Sequence, residues 1–326
     1  MTIKRLGVAA LLVLALAAPA FIYPVFLMKV LCFALFASAF NLLLGFVGLL
    51  SFGHAAFFGS AAYITAHTVK VWGWSPEIGI LAGVAVAAAL GAVVGSLAIR
   101  RQGIYFAMIT LALAQMVYFF ALQAPFTGGE DGIQGVPRRP FFGIIDITDD
   151  TTFYYVVLAI VVAGLLLIYR TVHSPFGQIL KAIRENEPRA ISLGYDVDRY
   201  KLLAFVISAA LVGLAGGTKT LVFQLASLTD IQWQMSGEAV LMTLIGGVGT
   251  IFGPLVGAAV VVSMQNYLAQ TGEWVLVIQG AVFVVVVLAF RRGIVGEIAA
   301  WSARRRRAAA EPADPHAAPT EETARA

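Results

Sequence analysis

From residue 173 the chain reads His173-Ser-Pro-Phe-Gly-Gln-Ile-Leu-Lys-Ala-Ile-Arg-Glu-Asn-Glu-Pro-Arg-Ala-Ile-Ser-Leu-Gly-Tyr-Asp-Val-Asp-Arg-Tyr-Lys201, a charged segment set between apolar runs of membrane length. Ser174 can cap a helix whose first residue is Pro175, where the missing N–H costs nothing. Pro188 begins a second, shorter helix, and Gly194 supplies the left-handed residue that commonly ends one. The segment is therefore predicted to form two short helices rather than a slack loop.

The first of these helices is amphipathic. It is expected to run to about Asn186, and Asn186 or Glu187 is expected to cap the second helix. Ile179, Leu180 and Ile183 lie on one face at spacings of three and four, while the charged residues point elsewhere. Such a face predicts a groove on a partner. The alternative is a solvated connector whose charges only keep it out of the bilayer.

Composition places the chain in a membrane. Of its 326 residues, 60% are hydrophobic and 12% are charged, which is about half the charged fraction of a soluble domain. The single cysteine, Cys32, lies inside an apolar run and can form no internal disulfide. The net charge of +4 comes from basic residues at the ends of the apolar runs, so it does not indicate nucleic-acid binding.

About ten apolar runs are long enough, or nearly long enough, to cross a bilayer. The first, Leu6 to Leu27, is interpreted as a retained helix, although Ala18-Pro-Ala20 resembles a signal-peptide cleavage site. The others are Val30 to Leu50, His54 to Val69, Ile78 to Ile99, Ile104 to Gln123, Phe153 to Tyr169, Leu202 to Phe223, Glu238 to Gly249, Leu255 to Leu268 and Trp274 to Phe290. The predicted fold class is all-α, a polytopic membrane protein.

Two glycine-rich turns interrupt these runs, at Gly45 to His54 and at Gly246 to Pro254. The first carries no charge to hold it at the surface, and the Glu238 run before the second is too short for a straight span, so both are predicted to be broken helices inside the membrane. Leu44-Gly-Phe-Val-Gly48 is weakly similar to Ile245-Gly-Gly-Val-Gly249. Transporter repeats leave such traces, although glycine-rich turns also look alike by chance.

Basic residues decide the orientation. Up to Arg307, sixteen Lys and Arg residues lie on the faces that include both termini and the segment 171–201, against five on the opposite faces. The positive-inside rule therefore makes segment 171–201 and both termini cytoplasmic, and the loop 124–152 extracytoplasmic. Residues 1–302 are expected to form one transmembrane domain, and residues 303–326 a disordered basic tail rich in Ala and Pro.

Several kinds of chemistry are absent from the sequence. The region before residue 121 has one carboxylate, Glu77, in an outer turn, and the four histidines show no metal-ligand spacing. His54 alone lies near the interior, where a lone histidine is more often structural than a ligand. No catalytic grouping and no phosphate-binding Gly-x-x-x-x-Gly-Lys-Ser/Thr run occurs. If ATP drives the protein, another chain binds it, and a cytoplasmic helix pair is what an ATPase subunit would grip.

Several motifs together resemble one family, the LivM-type permease of branched-chain amino-acid ABC importers. They are Asn41-Leu-Leu-Leu-Gly-Phe-Val-Gly-Leu-Leu-Ser-Phe-Gly-His-Ala-Ala-Phe-Phe-Gly59, Thr127-Gly-Gly, Asp131-Gly-Ile, Ser174-Pro-Phe-Gly, Ala182-Ile-Arg-Glu-Asn-Glu187, Lys201-Leu-Leu-Ala-Phe-Val-Ile-Ser-Ala and Gly246-Gly-Val-Gly-Thr-Ile-Phe-Gly-Pro254.

The resemblance implies a multi-pass permease of the bacterial inner membrane, with a homologous LivH-type permease, two ATPase subunits and a periplasmic solute-binding protein as partners. No cofactor is expected on this chain, because ATP and magnesium would bind the ATPase subunits. The family also transports amides, urea and other small solutes. The resemblance assigns ATPase coupling to Pro175, Phe176, Gly177, Ile179, Leu180, Ile183, Arg184, Glu187, Ala190 and Gly194.

Two further sites are predicted. The outer loop is expected to dock the binding protein through Thr127, Gly128, Gly129, Glu130, Asp131 and Gly132. The translocation path is expected beside the glycine-rich turns, where exposed backbone offers dipoles to a neutral or zwitterionic solute, or else these turns are tight contacts against the partner permease. The path residues are Gly45, Gly48, Ser51, Gly53, His54, Gly246, Gly247, Gly249, Thr250 and Gly253.

Two other functions are compatible with parts of the sequence. A secondary carrier for a small neutral solute would normally place carboxylates in mid-membrane, and none is found there. A structural scaffold would need neither broken helices nor a shaped outer loop.

Overall fold

The computed structural model describes residues 13–268, 274–289 and 293–297. Its regular structure is almost entirely helical. The helices are α1 Pro24–Phe46, α2 His54–Lys70, α3 Pro76–Ala98, α4 Ile104–Gln123, α5 Asp150–His173, α6 Pro175–Glu185, α7 Glu187–Ser192, α8 Val197–Phe223, α9 Trp233–Gly246, α10 Gly253–Leu268 and α11 Trp274–Ala289. Two short strands, β1 Ile133–Gln134 and β2 Leu225–Ala226, pair antiparallel.

The fold class is as predicted, an all-α polytopic membrane protein. Five described helices, α1, α3, α4, α5 and α8, are long and apolar enough to cross a bilayer. Helices α2, α9, α10 and α11 contain 17, 14, 16 and 16 residues and fall short of that length. The expected count of about ten spans therefore depends on the shorter helices, and the tail 303–326 lies outside the described residues.

One predicted span is wrong in its boundaries. The sequence favours a single helix from Leu6 to Leu27, whereas residues 13–17 are helical, Ala18–Ala20 form a 3-10 turn, and α1 begins at Pro24. The reason is local. Pro19 and Pro24 lack the N–H that would continue a helix, and each lies in the first turn of a new element instead. Residues 1–12 lie outside the described part.

Contacts between the connecting segments define two ends of the helix bundle. At the outer end, Lys70 Nζ donates to the Gln134 carbonyl over 2.6 Å, and β1 pairs with β2. At the inner end, the turn after α1 and the turn between α9 and α10 both approach α6. The inner end is the one that the distribution of basic residues predicts to be cytoplasmic.

Small residues allow the central helices to pack closely. Most of helix α1 is buried, and α8 packs extensively against α3. A Cβ atom added at Gly91 would lie 2.5 Å from that of Ala209, and one at Gly213 would lie 2.5 Å from that of Ala87. Helix pairs in membranes gain stability from such close backbone approach, since lipid provides no hydrophobic drive between helices. This packing holds α8 in place between the two ends.

The outer loop is a shaped structure, as its glycines and prolines predict. Arg138 Nη1 forms a 2.6 Å ion pair with Asp150, and its Nη2 donates to the Val222 carbonyl over 2.7 Å. The Arg138 guanidinium also lies 5.0 Å from the centre of the Phe153 ring. One arginine therefore joins the loop to the start of α5 and the end of α8.

Candidate coupling and translocation site

The cytoplasmic segment forms the two predicted helices, α6 and α7. Ser174 Oγ accepts the Gly177 N–H over 3.3 Å, and Asn186 Oδ1 accepts the Arg189 N–H over 3.1 Å. Each side chain satisfies a donor that a helix N-terminus leaves without a partner. Gly194 follows α7 with φ of 86°, the left-handed conformation that glycine adopts without strain.

The apolar face of α6 packs inside the protein, which corrects the expectation of an external groove. Ile183 is 2% exposed and forms a small cluster with Ala190 and Val197, and Leu180 is fully buried. Gly177 is buried too. It lies so close to the last carbonyls of α5 that any Cβ there would collide with them. These side chains hold the segment together and present no surface to a partner. Their assignment to ATPase coupling stays a prediction, and any such role is indirect.

The helix pair, α6 and α7, is attached to the start of α8. Lys201 Nζ donates to Glu187 Oε1 over 2.6 Å, and the Lys201 side chain is almost wholly buried. The rings of Phe176 and Tyr200 stack at 5.6 Å with an interplanar angle of 25°. An ion pair, a ring stack and the small apolar cluster therefore make α6, α7 and the start of α8 one unit.

Three apolar residues of this segment are exposed instead. Ile191, Leu193 and Tyr195 are 56%, 67% and 39% exposed. Sequence reasoning missed them because they lie around the end of α7, where no helical spacing draws attention to them. The sequence feature that could have revealed them is the presence of three apolar residues within five consecutive positions of an otherwise charged segment. A solvent-exposed apolar group at a membrane protein's cytoplasmic end predicts a protein contact.

The two glycine-rich turns meet at the inner end. The Asn41 side chain of α1 donates to the Thr250 carbonyl over 2.7 Å and accepts the Gly249 N–H over 2.9 Å. A Cβ at Gly45 would lie 2.6 Å from the Gly249 nitrogen, so only glycine permits this approach. Gly48 and Gly249, which correspond in the weak internal similarity, have φ of 84° and 76°. We refer to this contact between the turns as the junction.

The predicted path residues lie at or near the junction, but most are packed inside the chain. Gly48 is exposed, and Gly249 and Thr250 are half-buried. The buried members are Gly45, Ser51, Gly53, His54, Gly246, Gly247 and Gly253. Within this chain the glycines serve close backbone contact between the turns. The position of the path remains a prediction.

His54 has the structural role that is common for a lone buried histidine. Its Nε2 lies 2.9 Å from Ser208 Oγ, and that hydroxyl donates to the Ala39 carbonyl over 2.6 Å. The rings of Phe40, Phe57 and Phe205 surround it at 5.0 to 5.9 Å. His54 therefore joins α2 to α8, and its assignment to the path stays a prediction. No group of three potential metal ligands occurs in the described part of the chain.

A buried ion pair at the outer end was missed by sequence reasoning. Lys219 Nζ contacts both carboxylate oxygens of Asp230 at 2.8 and 2.7 Å, and both residues are buried. Asp230 also caps the short turn Leu228–Asp230, where Ser227 donates its N–H to Oδ2 over 3.3 Å. A spacing of eleven residues across a helix end gives no recognisable pattern. The pair joins α8 to the segment that leads into α9.

The predicted docking loop divides into an internal and an exposed part. Thr127 is buried, and its Oγ1 donates to the Ala121 and Ala124 carbonyls, so it closes α4 and offers nothing to a partner. Glu130 and Asp131 are exposed, and the glycines around them have positive φ. Further along, hydrogen bonds from the Thr148 hydroxyl and N–H hold the pKa of Asp146 below its usual value. These two hydrogen bonds favour the ionised form of the Asp146 carboxyl group.

A half-open groove of about 400 Å³ lies between α2, α3 and α4, near the outer loop. Apolar side chains such as Val86, Met116 and Phe120 form most of its wall. The Tyr63 hydroxyl is buried at this wall without a hydrogen-bond partner in the described residues. The lining suits an apolar group with one polar contact and lacks partners for both charges of a zwitterion.

Residues 23–287 match the family model described as "Branched-chain amino acid transport system / permease component". The chain belongs to this family. It is 28% identical over 276 residues to the high-affinity branched-chain amino acid transport system permease protein LivM of Escherichia coli (strain K12), and equally to that of Salmonella typhimurium. Each alignment covers 76% of this chain and 64% of the relative.

A more distant relative is a sugar permease. The ribose import permease protein RbsC of Bacillus subtilis is 30% identical over 196 residues, which cover 55% of this chain and 58% of that protein. No solved structure matches the chain. The family membership agrees with a multi-pass membrane protein that works as one component of a transport system.

Proposed function

We propose that this chain is the LivM-like permease subunit of an ATP-binding-cassette importer in a bacterial inner membrane, and that it transports branched-chain amino acids. The family membership carries this proposal. ATP and magnesium would bind two separate ATPase subunits, because the sequence has no phosphate-binding loop. The remaining partners are a LivH-type permease and a periplasmic solute-binding protein. The chain itself is not an enzyme.

The cytoplasmic helix pair supports the coupling role. Ile191, Leu193 and Tyr195 offer exposed apolar contact, and the ties to α8 through Lys201 and Tyr200 would convert pressure on the pair into tilting of a long membrane helix. Rigid-body motion of packed helices is an established way to switch access between two sides. The ATPase contact is therefore assigned to the exposed residues around the end of α7.

The apolar groove between α2, α3 and α4 supports an aliphatic solute. Its lining would accept a branched hydrocarbon side chain, while backbone dipoles elsewhere on the route would receive the ammonium and carboxylate groups. A ribose importer relative shows that related permeases serve other solutes, so the choice of substrate needs a direct test.

Uptake into proteoliposomes tests the proposal. The chain, the second permease, two ATPases and the binding protein are purified together, and radiolabelled leucine, isoleucine, valine, urea and ribose are supplied outside with ATP inside. ATP-dependent uptake of the branched-chain amino acids is expected, with none when a catalytically inactive ATPase is used. Leu193→Glu should abolish ATPase retention, whereas Arg199→Ala at the same end should not. Uptake driven by a proton gradient without ATP would favour the secondary carrier.

A further inference from the structure

The Arg184 side chain extends from α6 to the junction. Its Nη1 donates to the Gly45 carbonyl. Its stem covers the first turn, because a Cβ at Gly48 would lie 3.1 Å from Arg184 Cγ. A Cβ at Gly249 would lie 3.3 Å from Arg184 Nη1, so the same guanidinium reaches the second turn. One side chain of the cytoplasmic helix pair thus contacts both glycine-rich turns.

The acceptor is available because α1 ends irregularly. In a continuing helix the Leu49 N–H would bond the Gly45 carbonyl, but here it bonds the Leu43 carbonyl over 3.2 Å. The last carbonyls of a helix lack helical partners and carry the negative end of its dipole. A guanidinium therefore completes the C-terminus of α1, and it does so from a different element.

Asn41 makes the two turns one unit. Its amide donates to the Thr250 carbonyl and accepts from the Gly249 N–H, so the second turn is bonded twice to α1 just above the point that Arg184 holds. Asn41 is 2% exposed, and a buried amide that loses these partners has no water to replace them. A displacement of the end of α1 must therefore carry the second turn with it.

The Arg184 contact is also exchangeable. Arg184 is exposed, and no ion pair involves it within the described residues. Its partner is a neutral carbonyl, which releases a guanidinium more readily than a carboxylate does. The helix pair, in contrast, is fixed to α8. Motion of the pair therefore pulls on the turns through the Arg184 contact or releases that contact.

We propose that Arg184 transmits displacement of the cytoplasmic helix pair to the glycine-rich turns, and that Asn41 makes both turns respond together. Arg184 is thus a positioning residue. The inference rests on the proposed function, since it takes the displacing force from ATPase subunits. The inference adds to the proposed function the side chain that links displacement of the helix pair to the two glycine-rich turns.

Reconstituted complexes test the link by two rates, ATP hydrolysis and solute uptake. In Arg184→Ala, uptake per ATP should fall about tenfold, within the usual range of coupling effects, while hydrolysis stays within about twofold of wild type. Arg184→Lys keeps the charge but cannot span both turns. Its uptake per ATP should therefore lie between the values of the wild type and Arg184→Ala. Lys181→Ala is the matched control, because Lys181 lies three residues earlier on α6 and its Nζ lies 5.9 Å from the centre of the Phe46 ring. It should leave the ratio unchanged.

A second measurement follows the turn itself. Cys32 is the only cysteine, so Cys32→Ala gives a background for labelling. Phe252→Cys then reports on the second turn, where residue 252 is exposed. Its rate of reaction with a water-soluble maleimide should differ between ATP-free and ATP-trapped complexes, and the difference should disappear in Arg184→Ala.

The outcomes separate this inference from the proposed function. If the wild-type complex transports and Arg184→Ala keeps the same uptake per ATP, the transmission role is wrong and the function stands. Equal loss of hydrolysis and uptake in Arg184→Ala, or loss of complex assembly, would show a merely structural role and overturn the inference. A wild-type complex without ATP-driven uptake of any solute would overturn both.

Discussion

Three cations at opposite ends of the bundle are held in different ways. At the outer end, Lys219 is buried against both oxygens of Asp230, and Arg138 pairs with Asp150. At the inner end, Arg184 is exposed and bonds a neutral backbone carbonyl. Separating a buried ion pair leaves an uncompensated charge, whereas water can replace one neutral acceptor of an exposed guanidinium. The Lys219–Asp230 contact is therefore suited to stay fixed and the Arg184 contact to change partners.

The strongest challenge to this comparison is to break the outer pair. Lys219→Ala leaves the Asp230 carboxylate buried without its cation, which should cost about 3–5 kcal/mol of stability. Thermal unfolding of the purified protein in detergent measures the loss. The double variant Lys219→Met/Asp230→Leu removes both charges and should recover most of it. If the single variant unfolds like wild type, the outer end is not held by this pair.

The junction can be forced apart without touching any charge. A Cβ at Gly45 would lie 2.6 Å from the Gly249 nitrogen, so Gly45→Ala should cost about 1–3 kcal/mol. The same unfolding measurement applies. Gly237→Ala is the control, since nothing lies within 4 Å of a Cβ at that position in α9. Equal effects of the two substitutions would mean that the turns do not need their close contact.

A smaller effect is expected where the helix pair meets α8. Lys201→Met removes the partner of Glu187, a carboxylate that is 21% exposed and partly hydrated, so about 1 kcal/mol should be lost. Hydrogen exchange of the amides in α7 should become faster. Arg199→Ala removes an ion pair with Asp196 that is largely exposed. In this variant the hydrogen exchange of the α7 amides should stay unchanged. Unchanged exchange in both variants would separate α7 from α8.

The smallest effect on stability should come from the outer loop. Reversing Glu130 and Asp131 to lysine changes exposed charges, so the free energy of unfolding should move by less than about 0.5 kcal/mol. At low salt the variant should bind the solute-binding protein more weakly than the wild type does. This difference in affinity should fade near 0.1 M salt, where screening acts within about 10 Å. Docking that is indifferent to both charges would give the loop another role.

Local signals in the sequence predicted the helices well. Ser174, Asn186 and Gly194 act where cap and turn chemistry placed them, and α2 and α4 begin at the predicted residues. Such features depend on a few neighbouring residues, so they can be read from one chain. The prediction of the first span was wrong because it followed the apolar composition and gave too little weight to Pro19 and Pro24, which are local signals of the same kind.

Contacts between distant residues could not be predicted. The apolar stripe of α6 correctly indicated a buried face, but its partner is Val197 of the same chain rather than another protein. Arg184 was expected to face an ATPase, and it reaches Gly45, 139 residues away. A periodic pattern states that a face is buried and does not state what covers it.

The Asn41 bonds have a consequence for the order in which the protein is made. The Gly249 and Thr250 partners follow Asn41 by 208 and 209 residues. At ribosomal speeds of about 5–20 residues per second, α1 enters the membrane roughly 10–40 s before its amide can be satisfied. During that interval a polar side chain waits inside an apolar helix. A chain truncated before the second turn keeps that defect permanently, which gives membrane quality control a specific flaw to recognise in unfinished molecules.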